Sequence, residues 1–192
     1  HPLLLLLNRL YTSNAESSES NIKLTNFISM IEELSESVEY STRVLCAKFI
    51  ANITPANVLL QTILNDISIL QDNQNCILNR KHGKLLKIFY LFKNVNLGHC
   101  NENMDIILQA IDETFNLLKF FKTQTMCFAA TLDIIITAFK IIWRTDLKSY
   151  SFSIDKLSYC LDYDQSLSFG IPILNQQKFA LNFIGAKFGG KY

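Results

Sequence analysis

Charge is scarce in this 192-residue chain and neither sign prevails: charged residues make up 18%, with 18 Lys plus Arg against 17 Asp plus Glu and a formal net charge of +1. A phosphate backbone is held by clustered excess cations, so this balance argues against nucleic acid as a partner. Histidine is confined to His1, His82 and His99, and the five cysteines contain no CxxC pair and no Cys/His group at zinc spacing, so no metal centre is expected. Walker-type, GxGxxG, GxSxG and HExxH sequences are missing, which removes the common nucleotide, hydrolase and zincin signatures. His99 adjoins Cys100, but sequence neighbours point to different sides of a helix or loop, and no oxyanion-hole motif accompanies them. No enzyme activity and no cofactor are therefore expected. Sustained period-2 alternation is also lacking, so strands are not predicted.

Apolar residues are plentiful, at 49% with 11% aromatic, which excludes a mainly disordered chain and suits one domain. Residues 1–21 read as an N-terminal arm or linker, 22–188 as one helical domain and 189–192 as a mobile tail. From Ile22 to Ile50, apolar residues recur at three- and four-residue spacing along one helical face, with Glu32, Glu33, Glu36 and Glu39 on the other as a solvent face. Thr54-Pro55 signals a helix start, Thr as N-cap and Pro at the first position. Helices follow over Val58–Leu70, Cys76–Leu97 (weakened by Gly83), Ile106–Phe121 and Met126–Trp143, then around Ile154–Leu161 and Gln176–Ile184. Asp133 and Lys140 interrupt Met126–Trp143, so it is expected as a buried central helix, not a membrane span. The prediction is an all-α bundle of six or seven helices. Arg80, Lys81, His82, Lys84 and Lys87 form a basic cluster, expected as a solvated helix face.

Self-comparison finds Cys76-x13-Tyr90-x9-Cys100 and Cys127-x22-Tyr150-x9-Cys160. Each set, 76–100 and 127–160, reads as a helical hairpin whose ends are tied by a disulfide around a packed tyrosine, Cys76 with Cys100 and Cys127 with Cys160, leaving Cys46 free. The result would be a disulfide-stapled bundle of two pseudo-repeated units. Two successive Cys…Tyr…Cys units in a helix-rich chain resemble the bicycle proteins, a divergent family of aphid salivary-gland effectors. The abundance of Asn, Ile, Lys, Phe and Leu is similar to that of AT-rich insect genomes. The resemblance implies secretion into plant tissue and manipulation of the host, including gall development, with no enzymatic chemistry.

The start at His1 followed by Leu3 to Leu7 points to a removed signal peptide, with a fragment of a longer chain as the alternative. The expectation is a secreted effector that binds a host protein as a monomer or weak dimer. Two other extracellular roles fit the composition: a helical carrier of a small lipophilic ligand, or a structural subunit bridged through Cys46. Asn52-Ile53-Thr54 is a sequon disfavoured by Pro55.

Overall fold

The computed structural model describes residues 2–10, 21–72, 77–95 and 104–144, and these form seven helices: α1 Pro2–Leu10, α2 Asn21–Leu34, α3 Tyr40–Ile53, α4 Ala56–Asp72, α5 Leu78–Asn94, α6 Met104–Phe120 and α7 Thr125–Arg144. The class is all-α, as the periodicity predicts. In α6 the residues Ile107, Ala110, Ile111, Thr114, Phe115, Leu117 and Leu118 fall on one face and are buried, while Asp105 in the first turn and Lys119 in the last complement the helix dipole. The apolar stretch 126–143 forms α7, with Cys127, Ile134 and Ala138 fully enclosed. Among the described residues no helix is long and apolar enough to cross a membrane. The helices expected around 154–161 and 176–184 lie outside the described residues.

The continuous helix suggested by Ile22–Ile50 is broken at residues 35–39. Serine explains the break, because its hydroxyl competes with the helical ladder. Ser35 Oγ donates to the Glu32 carbonyl (2.6 Å), and Ser37 Oγ accepts the Glu39 amide (3.2 Å). Glu39 then sits as the extended N-cap residue of α3, its carboxylate receiving the Ser41 and Thr42 hydroxyls. Those bonds hold the Glu39 carboxyl below its ordinary value. At the other end, Thr54 turns its hydroxyl back onto the Ile50 carbonyl (2.7 Å), closing α3 instead of capping α4, and α4 begins just after Pro55.

The packing pattern is that of a stacked array. The hairpins α2/α3, α4/α5 and α6/α7 pair internally, and α1, α3, α5 and α7 stack in chain order as one layer while α4 packs on α6. Side-chain bonds show that α3 and α5 run parallel: Arg43 meets His82 near their starts, and Asn94 Nδ2 donates to the Ala51 carbonyl (2.9 Å) at their ends. Parallel stacking of alternate helices, with antiparallel neighbours between them, characterises helical-repeat proteins. A large core runs through α3 to α7, and a smaller one joins Leu4 of α1, Ile31 of α2 and Leu45, Cys46, Phe49 and Ile50 of α3.

Gly83 is the tightest point of the stack. A Cβ there would run into the Ser35 carbonyl oxygen and lie 3.1 Å from its carbon, because the α2/α3 turn rests on α5. Alanine would gain up to ~1 kcal/mol of helix propensity. Backbone collision outweighs that gain, so Gly83→Ala is expected to destabilise by about 1–3 kcal/mol in urea unfolding. A stabilised variant would contradict the close approach.

Among the described residues no disulfide staples the fold. Cys46 and Cys127 are free thiols with no exposed surface. Within the 76–100 unit, where a helical hairpin was expected, the described residues form the single helix α5, Leu78–Asn94; Cys76 and Cys100 lie outside the described residues. Cohesion comes from the apolar cores and from polar contacts centred on α5.

Candidate functional site

The basic cluster of α5 is not a solvated face. Lys81, His82 and Lys87 are 5%, 4% and 8% exposed, because α5 is central and is flanked by α3, α4 and α7. Each cation with a salt bridge reaches an acid far away in sequence. Arg80 Nε lies 3.1 Å from Glu36 in the α2/α3 turn. Lys84 Nζ lies 3.2 Å from Asp66 Oδ1, and Lys87 Nζ is 2.9 Å from Asp66 Oδ2 and 3.0 Å from Glu32 Oε1. The supposed solvent acids Glu32 and Glu36 are thus partners that tie α2 and its turn to α5. Burial opposes the charge on Lys87, but Asp66 and Glu32 outweigh it and hold the ammonium above the ordinary lysine pKa.

Arg43 forms the second half of this junction. It is 1% exposed, donates through one terminal nitrogen to the Ser37 and Val38 carbonyls (2.6 and 2.9 Å) and to Asn79 Oδ1 (3.3 Å), and through Nε to His82 Nδ1 (3.2 Å). The guanidinium thereby satisfies carbonyls that the broken helix leaves without ladder partners. Accepting at Nδ1 places the His82 proton on Nε2. Burial, reinforced by the Arg43 charge, pushes the imidazole down to about 4, so it is neutral at physiological pH. A neutral histidine held by an arginine and the tilted Tyr40 ring (5.8 Å between centroids) is locked into structure, with no nucleophile among these contacts. The junction fixes the register of α2, α3, α4 and α5. Among the described residues no group of His, Cys, Asp and Glu is arranged to hold a metal ion.

Of the residues singled out by sequence, Cys46 and Cys127 lie in the smaller and the larger core, and burial pushes both thiols up to about 11. Tyr90 is half-buried on α5, its ring 5.0 Å from that of Phe89. Cys76, Cys100, Cys160 and Tyr150 lie outside the described residues. Asp133 is half-buried on α7; burial raises its pKa, and Lys93 and Lys140 oppose that rise. Sequence reasoning missed Arg43 and Asp66, which stand in largely apolar helices at positions that are buried. Pulsed alkylation with peptide mapping is expected to leave Cys46 and Cys127 unmodified in the folded protein and to label both in urea. Rapid native labelling of Cys46 would contradict its enclosure.

Comparison with known proteins gives one match and two negatives. Residues 1–91, spanning α1 to α4 and most of α5, match the family model described as Trm732, C-terminal TPR repeats. No curated protein and no solved structure matches the chain. The match overturns the bicycle resemblance, and with it the secreted effector acting on a plant host, the insect salivary-gland setting and the extracellular location. Cys46 is free, as the spacing suggested; Cys127, expected in a bridge, is also a free thiol. Geometry accords with the similarity: hairpins α2/α3 and α4/α5 begin at Asn21 and Ala56, close to the TPR period of about 34 residues.

Proposed function

We propose that this chain is a non-enzymatic helical-repeat scaffold that holds a protein partner on the exposed face of its layer α1, α3, α5 and α7. The observation that carries this reading is the parallel stacking of α3 on α5, tied at Arg43–His82 and at Asn94–Ala51. Parallel helices in one layer set successive helix faces side by side, and arrays of this kind make extended binding surfaces. TPR repeats generally mediate protein interactions, which supports the same reading. We extend the proposal to a role beside tRNA modification, with which the matched family is associated. Cross-linking of the full chain to its partners, followed by reconstitution from purified components, tests it. The expected result is a protein whose cross-links fall on α3, α5 and α7. Cross-links confined to α4 and α6, or no protein partner, would overturn it.

A further inference from the structure

Lysines on three successive helices of the α1/α3/α5/α7 layer differ from the other cations of α5. Arg80, Lys84 and Lys87 are taken up by Glu36, Asp66 and Glu32. Lys48 of α3, Lys93 of α5 and Lys140 of α7 are exposed, and none of them makes a salt bridge among the described residues. Two of them converge on one ring: Lys48 Nζ lies 5.4 Å and Lys93 Nζ 5.3 Å from the centroid of Tyr90, and Lys93 Nζ is also 4.4 Å from that of Phe89. Aromatic faces attract ammonium groups, yet two ammoniums at one ring repel each other. The acid that Lys93 and Lys140 act on, Asp133, is a weak counter-ion because burial disfavours its charge.

We infer that Lys48, Tyr90, Lys93 and Lys140 form a basic and aromatic ridge that binds an acidic peptide segment of a protein partner, an inference that rests on the scaffold reading above. Spacing favours an extended peptide. Neighbouring packed helices lie about 8–10 Å apart, and an extended chain repeats its side chains on one face every ~7 Å. A segment crossing the layer can therefore set carboxylates two or three residues apart against lysines of successive helices, with its side-chain stems on Phe89 and Tyr90.

The test is fluorescence anisotropy of the full chain with a labelled peptide of alternating Glu and Ala. Saturable binding is expected, weakened about tenfold or more by raised salt and by the double variant Lys48→Gln/Lys93→Gln. Lys122→Gln, in the turn between α6 and α7, is expected to bind as the parent does. Circular dichroism of the variants should match the parent, since the substituted lysines are exposed. The inference is overturned if the peptide does not bind, if the double variant binds it equally well, or if oligouridine of the same length binds more tightly and displaces it. A cross-linked partner that binds the double variant with undiminished affinity leaves the scaffold standing and removes the ridge. Peptide binding with no partner found does the reverse.

Discussion

Replacing Asp66 by asparagine is expected to cost about 3–5 kcal/mol of folding stability, the range for breaking a buried ion pair from one side. Asp66 is 2% exposed, and its two oxygens meet Lys84 and Lys87. Without the carboxylate, Lys87 retains only Glu32, whose side chain is 46% exposed and whose attraction is screened by solvent. The pH dependence should move with it. A lysine held above its unfolded pKa contributes stability that is complete below the unfolded value and lost as pH rises through the folded one, so this alkaline loss should shrink in Asp66→Asn. Asp66→Leu combined with Lys87→Met should cost less than Asp66→Asn alone, because no charge is then stranded. Urea unfolding of the parent and the two variants decides this, and a loss under about 1 kcal/mol for Asp66→Asn would show that the junction is not needed.

Acidification is expected to remove about 3 kcal/mol through His82 alone, using ~1.4 kcal/mol for each unit between the ordinary 6.5 and the folded value of about 4. The unfolded chain takes up the proton as pH falls through 6.5, whereas the folded chain refuses it until about 4. Stability from this group is therefore complete above 6.5 and lost progressively down to about 4. Glu39, with its lowered pKa, adds acid loss, and Asp133, with its raised pKa, acts in the opposite direction. His82→Asn keeps an acceptor for Arg43 without the titration, so unfolding measured from pH 7 to pH 4 should show a smaller fall than in the parent. Parallel curves would mean that His82 is not held buried and neutral beside Arg43.

The readable part of this fold is the part that local periodicity controls. α6 and α7 were legible because one apolar stripe and one nearly continuous apolar run survive in any surroundings. The five residues between α2 and α3 were not, because the apolar spacing passes across Ser35 and Ser37 without interruption and only their hydroxyl bonds break the ladder. Arg80, Lys84 and Lys87 form a regular stripe that resembles a solvent face. Their acids stand at Glu36, Asp66 and Glu32, and no local pattern pairs groups 18 to 55 residues apart. Cysteine and tyrosine spacing suggested a repeat that is not the structural one. The period that matters is the helix–turn–helix unit, kept by burial and close approach, as at Gly83, with little need for identical residues.

The central claim is that α3 and α5 lie parallel in one layer of a stacked array. Paired spin labels measure it directly, with one pair at Tyr40 and Leu78 on the two helix starts, one at Asn52 and Lys93 on the two ends, and one diagonal pair at Tyr40 and Lys93. A 14-residue helix is about 20 Å long, so the parallel arrangement predicts that both same-end distances are short and that the diagonal exceeds them by roughly 10–15 Å. A short diagonal with long same-end distances would make α3 and α5 antiparallel, and the repeat architecture and the binding face built on it would both be wrong.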